Sequence, residues 1–291
     1  MKTIAMIGVG IMGRGLTLNL KKAGHRLKLY TRSPNKVQNL IDEKCSLHST
    51  IQEATQSVDL VILCLTDDEV VHHAFFNEHL LENRPPIIID TGTTSPDLTL
   101  TMYQSAKDAN ISFLDSPMTG SKLAAESGQI LFLVGGDVSV YESLDYFYKA
   151  CGKNSVHCGP ISSGQRAKIA LNMIQAGMLQ VYLEGFHLAS KDGISSTTMI
   201  DLLMQSAAAS PLLDFKLKSV LTENYEAHFA LKNMNKDMNH AMNRAKQNHA
   251  SLPLSSTLKS IYDAAMAAGY SELDFCSLAK IMSELNQNKL T

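Results

Sequence analysis

The sequence lacks an excess of charge of either sign and lacks a long uninterrupted apolar run. Its 291 residues carry 26 lysines and arginines against 28 aspartates and glutamates, a formal net charge of −2. No global electrostatic field therefore attracts nucleic acid or an acidic membrane, and we expect neither as a partner. The apolar start of the chain is interrupted by Gly8, Gly10 and Gly13 and precedes a charged helix. This pattern is typical of neither a signal peptide nor a membrane span.

Cysteine is too sparse and too irregularly spaced to form a disulfide framework or a zinc motif. The five cysteines are an odd number and include no C-x-x-C pair. Cys151 and Cys158 flank His157, but their separation matches no zinc pattern, and a strand is predicted around them. The acidic residues at 67–69 fit the first turn of a helix better than a metal site. We expect no metal and a reducing compartment, the cytoplasm.

A glycine-rich turn follows the first apolar segment and has the form G-x-G-x-x-G. Gly8 permits a tight turn, Gly10 lets the backbone approach a pyrophosphate, and Gly13 allows a helix to pack closely. Three glycines in six residues also occur in ordinary loops. Here residues 11–23 continue with helical periodicity and residues 27–30 supply a second strand, which favours a dinucleotide site. The predicted cofactor contacts in this turn are Gly8, Gly10, Ile11, Met12 and Gly13.

The end of the second strand indicates which nucleotide is bound. An NAD site of this type has Asp or Glu about 20 residues beyond the glycines, whereas Arg there favours a 2′-phosphate. The strand is followed by Arg32, and no carboxylate occurs before Asp42. The alternative is that Arg32 is a solvated loop residue. Its position after the strand favours NADP over NAD, with three predicted contacts: Thr31, Arg32 and Ser33.

Strand-like and helical segments alternate through the first half of the chain. Such alternation predicts an α/β fold with a doubly wound, largely parallel sheet of the Rossmann type. After Gly159 and Pro160 the strand-like runs end, and the remaining residues predict helices rich in Met, Ala and Leu. We therefore predict a nucleotide-binding domain over 1–161 and an all-α domain over 162–291. The later predicted strands are 60–65, 87–90, 111–115 and 130–134.

One helix is predicted to be unusually long. Ser162 begins an S-x-x-Q capping box, and no proline follows until Pro211, which predicts a helix of roughly 25 to 28 residues, about 40 Å long. Its span is from about Gly164 to about Lys191. Such a helix offers an apolar face to a second copy of the chain, although one chain could also cover it. We expect a homodimer or homotetramer assembled through the helical domain.

Three further segments carry groups suited to chemistry. The loop at 115–121 offers hydroxyls and backbone N–H groups to an anion. Lys168 and Asn172 lie one turn apart on one helix face, where they could hold a substrate oxygen. From spacing alone, a helical lysine is usually solvated, and the Lys236–Asp237 pair is expected to be exposed.

Together these segments resemble the motifs of the β-hydroxyacid dehydrogenases, the family that includes 3-hydroxyisobutyrate dehydrogenases and glyoxylate/succinic semialdehyde reductases. The resemblance implies a Rossmann domain followed by an all-α domain, as in 6-phosphogluconate dehydrogenase. The matching segments, in order, are Gly8–Gly13, Asp115–Gly120, Gly164–Asn172 and Lys236–Asp237.

The sequence is most similar to the glyoxylate/succinic semialdehyde reductase branch, on Thr31–Ser33 and on Gly120–Lys122. Three positions depart from the family pattern: Met118, Thr119 and Gly92. The first two reshape the substrate pocket, and the third removes a hydroxyl near the nicotinamide.

The resemblance also implies site residues. Lys168 would be the catalytic proton donor, and Asn172 would hold the same substrate oxygen or position Lys168. The implied substrate contacts are Met118, Thr119, Gly120, Lys168, Asn172 and Lys236. The further implied cofactor contacts are Leu65, Thr66, Thr93, Phe229 and Lys236.

The resemblance implies an oxidoreductase that interconverts a small carboxylate-bearing aldehyde, such as glyoxylate or succinic semialdehyde, and its hydroxy acid, and Arg32 predicts that it depends on NADPH. One alternative is a 3-hydroxyisobutyrate dehydrogenase that prefers NAD, or a tartronate semialdehyde reductase. A more distant alternative is a dinucleotide-binding module without catalysis.

Overall fold

The computed structural model describes residues 1–290, except for the side chains of residues 213 and 214. Its contacts divide the chain into two compact units, Met1–Lys168 and the chain from Ile169 onward. This division falls inside the long helix, whereas the predicted domain boundary at 161/162 lies at the start of that helix. The domain boundary stays a prediction.

The first unit is built on one nine-stranded sheet. Its strands are β1 (Thr3–Ile7), β2 (Arg26–Tyr30), β3 (Cys45–Leu47), β4 (Leu60–Leu63), β5 (Ile87–Asp90), β6 (Ser112–Asp115), β7 (Met118–Thr119), β8 (Ile130–Gly135) and β9 (Gly152–Gly159). Its helices are α1 (Ile11–Lys22), α2 (Ile51–Thr55), α3 (Asp68–His72), α4 (Pro96–Asp108), α5 (Lys122–Glu126), α6 (Val138–Ser143) and α7 (Asp145–Cys151). The four predicted later strands are confirmed, with small differences at their ends.

The strand order is β3-β2-β1-β4-β5-β6-β8-β7, with β9 also paired to β8. The six strands from β3 to β6 are mutually parallel, and the order reverses direction between β1 and β4. This is the Rossmann arrangement, in which ligands bind beyond the carboxyl ends of the strands at the reversal. The strand β4 is buried along its whole length, as expected for a parallel strand covered on both faces.

The second unit is helical. It contains most of α8 (Ser163–Lys191) together with α9 (Ser196–Met204), α10 (Pro211–Leu221), α11 (Leu231–Asn248), α12 (Pro253–Ala267) and α13 (Leu278–Asn286). The described residues from Ile169 onward include no strand, which confirms the predicted all-α part. Its core is a cluster of buried apolar side chains that includes Leu183, Phe186, Met234, Met238 and Tyr262.

The long helix is confirmed at 29 residues, close to its predicted length. Among the described residues, no helix is both long and apolar enough to cross a membrane.

Candidate active site

The glycine-rich turn after β1 is tightly held at two of its three glycines. Gly8 has φ +98°, a left-handed conformation that favours glycine, and its N–H donates to the Tyr30 carbonyl at 2.9 Å. A side chain at Gly8 would collide with the Cys64 carbonyl, and one at Gly13 would collide with the Gly8 carbonyl. The packing of α1 against the ends of β1 and β4 therefore requires both glycines.

Gly10, in contrast, is required neither by its conformation nor by packing. It has φ −77°, it is exposed, and no atom other than those of Gly10 and its two chain neighbours lies within 4 Å of where its Cβ would be. The helix α1 begins there without a side-chain cap and without an acidic residue in its first turn. Open space beside uncapped helical N–H groups suits the close approach of a pyrophosphate. The turn therefore fits a dinucleotide.

The segment after β2 presents cationic side chains to solvent. Arg32 and Lys36 are exposed, and the first carboxylate after the strand, Asp42, is paired with Lys21 at 2.8 Å. This pairing keeps the pKa of Asp42 below its usual value. The structure thus places no unpaired carboxylate in the segment 30–42 where an NAD-type ribose contact is expected.

Arg14 is a neighbour of this segment that the sequence analysis missed. From α1, its guanidinium donates to the Lys36 carbonyl at 3.3 Å and to the Asn39 side-chain oxygen at 3.2 Å. Arg14 therefore ties the helix of the glycine turn to the segment that carries Arg32. The available signal was a cationic residue directly after the third glycine.

The ends of β4 and β5 carry the predicted contacts Leu65, Thr66 and Thr93. The Thr66 hydroxyl donates to Asp67, which caps α3 by accepting from the Val70 N–H. A Cβ at Gly92 would lie 2.6 Å from the Leu65 carbonyl oxygen. The Gly92 departure therefore has a packing reason, because this chain leaves no room for a side chain there.

The predicted substrate loop is partly strand. Met118 and Thr119 form β7, opposite Phe132 and Leu131 of β8, and both are half-buried. Gly120 has φ +147° and is exposed. The Ser121 oxygen accepts from the Ala124 N–H at 3.4 Å and caps α5.

The start of α8 is held by the buried carboxylate of Asp115. Its Oδ1 accepts from the Ser162 N–H at 2.6 Å, and its Oδ2 accepts from the Gln165 N–H at 2.7 Å. In the predicted capping box, the Ser162 hydroxyl would accept the Gln165 N–H, and the Gln165 side chain would accept the Ser162 N–H. Asp115 accepts both N–H groups instead, so the capping-box prediction was wrong. Ser162 has φ +73°, and Asp115 at the end of β6 replaces its hydroxyl as the cap. Burial raises the pKa of Asp115 to about 6, although the N–H donors oppose this.

Lys168 is buried, with only 7% of its surface exposed. A lysine this deeply buried is unusual, because removing an ammonium from water is costly unless it is compensated. The expectation from spacing alone, a solvated lysine, was therefore wrong.

The Lys236–Asp237 pair is likewise not an exposed pair. Asp237 is 2% exposed, lies 3.3 Å from the Lys236 ammonium, and accepts from the Asn172 side-chain amide at 2.6 Å. Within the second unit, α8 and α11 thus bring Asn172, Lys236 and Asp237 together. This hydrogen bond also compensates for the burial of the Asn172 amide.

Phe229 lies just before α11 and is half-buried. Its N–H donates to the Asp274 carboxylate at 3.0 Å, and Asp274 is paired with buried Lys216 at 2.7 Å. Local sequence patterns do not predict this ion pair, because 58 residues separate its members and neither belongs to a motif. It fixes the backbone at Phe229.

Two family models match the chain. The NAD-binding domain of 6-phosphogluconate dehydrogenase matches residues 3–159, and the NAD-binding model of NADP-dependent 3-hydroxyisobutyrate dehydrogenase matches residues 162–282. The chain belongs to the β-hydroxyacid dehydrogenase family.

Individual relatives of this β-hydroxyacid dehydrogenase agree with the assignment. Glyoxylate/succinic semialdehyde reductase 1 of Arabidopsis thaliana is 28% identical over 94% of this chain and 96% of its own length. The cytokine-like nuclear factor N-PAC of Xenopus tropicalis is 28% identical over 95% of this chain but only 52% of its own length. The structure of Mycobacterium tuberculosis 3-hydroxyisobutyrate dehydrogenase with L-serine has a TM-score of 0.88 and 27% identity, covering 97% and 99% of the two chains.

The predicted site residues fall into two groups. The first unit of this β-hydroxyacid dehydrogenase carries the glycine turn, the Arg32 segment, Leu65, Thr66, Thr93, the 118–120 loop and Lys168. The second carries Asn172, Phe229 and Lys236. Their roles in binding and catalysis stay predictions.

Proposed function

We propose that this NAD(P)-dependent oxidoreductase uses NADPH to reduce a small carboxylate-bearing aldehyde, such as glyoxylate or succinic semialdehyde, to its hydroxy acid. The observation that carries the catalytic part is a buried lysine, Lys168, one helical turn before Asn172, whose amide is anchored on Asp237. A lysine removed from water in this way can act on an oxygen in a substrate, because few water molecules compete for it.

A nicotinamide cofactor bound at the glycine-rich turn would supply a hydride for the carbonyl carbon. Lys168 donates a hydrogen bond to the carbonyl oxygen and transfers its proton to that oxygen as negative charge develops there. Asn172 acts as a positioning residue in this proposal, because its N–H already donates to Asp237. Of the two roles open to Asn172, this bond favours positioning over direct contact with the oxygen.

The substrate carboxylate is assigned to the loop at 118–120. The Thr119 hydroxyl and the N–H of exposed Gly120 are proposed as donors, and Met118 as an apolar wall. Lys236 supplies a cation toward substrate or cofactor, held by Asp237 at 3.3 Å. Phe229 supplies an apolar surface for the cofactor.

NADP preference is proposed from the segment after β2. Arg32 is exposed and lies two residues beyond the carboxyl end of β2, and Asp42 is paired with Lys21. A guanidinium suits a 2′-phosphate, because its planar donors match phosphate oxygens. The remaining cofactor contacts are proposed as predicted: the glycine turn, Thr31, Ser33, Leu65, Thr66 and Thr93.

A spectrophotometric panel tests the proposed activity. NADPH and NADH are each tested with glyoxylate, succinic semialdehyde, methylmalonate semialdehyde and tartronate semialdehyde. We expect the highest kcat/KM with NADPH and one of the first two aldehydes. Preference for methylmalonate or tartronate semialdehyde, or for NADH, would support the 3-hydroxyisobutyrate-type alternative. Cofactor binding without turnover on any aldehyde would support a non-catalytic module.

The role of Lys168 is tested by substitution. Lys168→Ala is expected to lower kcat by about 10²- to 10⁴-fold, the usual contribution of a positioned proton donor. NADPH affinity should change little. Lys168→Arg should not restore turnover, because a guanidinium is a poor acid near neutral pH. An alanine variant that keeps more than about a third of the wild-type kcat, with chemistry rate-limiting, would exclude the proposed role.

A homodimer or homotetramer is proposed from an exposed apolar seam on α8. Ile174, Val181 and Leu188 lie seven residues apart and are 54%, 52% and 68% exposed. Residues with this spacing line one side of a helix, as in helix pairs that pack along their length. A second copy of this chain is proposed to cover the seam.

The five free thiols support the proposed reducing compartment, the cytoplasm.

A further inference from the structure

Gln165 is a fully buried polar side chain in the first turn of α8, three residues before Lys168. Its side-chain amide is hydrogen-bonded to the end of β5 and to the loop that follows β5. Its Oε1 accepts from the Thr94 N–H at 3.1 Å, and its Nε2 donates to the Gly92 carbonyl at 3.0 Å and to Asp90 at 3.4 Å. These two backbone partners flank Thr93.

Two buried carboxylates at the ends of adjacent strands hold both sides of this contact. On the helix side, Asp115 accepts the Gln165 N–H at 2.7 Å. On the loop side, Asp90 accepts the Thr94 hydroxyl at 2.6 Å and the Gly92 N–H at 3.0 Å. The helix and the loop are thus each fixed to the sheet, and the Gln165 amide joins one to the other.

Packing alone does not explain why residue 165 carries a side-chain amide. An apolar side chain of similar volume would fill the same space without burying an amide, whose burial is favourable only when its hydrogen bonds are made. The amide fixes the orientation of the helix relative to the loop, because its donor pairs with the Gly92 carbonyl and its acceptor pairs with the Thr94 N–H.

We propose that Gln165 is a positioning residue that sets the place of Lys168 relative to Thr93, and so relative to the reacting end of the cofactor. This inference rests on the proposed roles of Lys168 and Thr93. Misplacement of a reacting group by about 1 Å can lower a rate by about 100-fold, so loss of this link should appear in kcat.

The test compares Gln165→Met with Gln180→Met. Gln180 is also buried on α8, but its amide donates to Glu184 and Met282 instead of the 91–95 loop. Each variant is measured for thermal unfolding, NADPH affinity, kcat and the primary isotope effect with deuterated NADPH. Gln165→Met should lower kcat by about 10- to 100-fold, keep NADPH affinity within about threefold and increase the isotope effect. Gln180→Met should keep kcat within about threefold of wild type, because its amide does not contact the loop.

A milder variant covers the case in which Gln165→Met does not fold. Gln165→Asn keeps the amide but is one methylene shorter, so it cannot reach Gly92 and Thr94 together. It should also lower kcat and increase the isotope effect. Wild-type kcat in either folded Gln165 variant would overturn the inference, as would a fall in kcat matched by an equal loss of NADPH binding.

The Lys168→Ala variant separates this inference from the proposed function. If Lys168→Ala keeps its turnover, the proposed catalytic role fails and Gln165 has no catalytic group to position. If Lys168→Ala is inactive while the Gln165 variants behave as wild type, only the inference about Gln165 fails.

Discussion

The side-chain amide of Asn172 donates to the buried carboxylate of Asp237 at 2.6 Å and joins α8 to α11. The bond links two of the four sequence motifs inside the second unit. It also gives Asp237 a partner besides Lys236, which lies 3.3 Å away. A carboxylate buried to this degree needs such partners.

Asp237→Ala should therefore destabilise the protein and lower its activity. Loss of a hydrogen bond to a buried charge costs about 1.5–3 kcal/mol, and we expect a fall of this size in the free energy of unfolding by urea. We also expect kcat/KM to fall at least tenfold, because Asn172 and Lys236 lose their common anchor. Asp237→Asn keeps the shape and one acceptor oxygen and should lose less. Equal stability of the alanine and asparagine variants would contradict the bond's importance.

Cofactor choice should depend on Arg32 directly and on Arg14 indirectly. Arg32→Asp should reverse the preference from NADPH to NADH, measured as the ratio of kcat/KM values. Arg14→Ala should raise the KM for NADPH more than that for NADH, because it frees the Lys36 carbonyl and Asn39 from α1. Arg26→Ala is the control, since this exposed arginine starts β2 and lies at its opposite end. An Arg14 variant that changes both KM values equally would contradict this role.

The sequence predicted the features that follow from local pattern. Apolar runs located the strands, and the glycine spacing located the turn. Long-range partners were not predictable in this way. The Asp115 cap of α8 joins residues 47 and 50 positions apart, and the Asn172–Asp237 bond joins residues 65 apart. Local spacing gave Ser162 as the cap of α8, and a carboxylate from β6 took its place.

That replacement leaves Ser162 in a left-handed conformation, with φ +73°. Such a conformation costs a residue with a Cβ about 1–2 kcal/mol, and the greater chain entropy of glycine offsets about 0.5–1 kcal/mol of it. Ser162→Gly also removes the buried hydroxyl, which donates to the Pro96 carbonyl at 3.5 Å. Ser162→Gly should therefore exceed Ser162→Ala in free energy of unfolding by about 0.5–1 kcal/mol, since both variants lack the hydroxyl. Ser162→Ala keeps the Cβ and removes only the hydroxyl, so it should bring no gain. If Ser162→Ala were more stable than the wild type, the unfavourable contribution would come from the hydroxyl and not from the backbone conformation.

The α8 seam should control the oligomeric state. Val181→Glu and Leu188→Glu place a charge on the exposed apolar side of the helix and should shift the protein toward monomer in light scattering. The core should not be affected, since both side chains are exposed. Leu254→Glu is the control, because Leu254 is 65% exposed on α12, outside the seam. A wild-type protein that is monomeric at micromolar concentration would contradict the proposal.

Asp115 should make stability depend on pH in a way that Asp115→Asn does not. Burial raises the pKa of this carboxyl to about 6 in the folded protein, above its ordinary value of 3.8. Between these values the folded state binds more protons at Asp115 than the unfolded state does, so this group's contribution to stability grows as pH falls and declines as pH rises through about 6. Other groups titrate alike in both proteins and cancel. Lowering the pH from about 7 to about 5 should therefore shift the difference in unfolding free energy toward the wild type by about 1 kcal/mol, measured by urea denaturation. A difference that stays constant over this range would mean that Asp115 titrates at its ordinary pKa. The N–H groups of Ser162 and Gln165 would then offset the whole penalty that burial imposes on the Asp115 carboxylate.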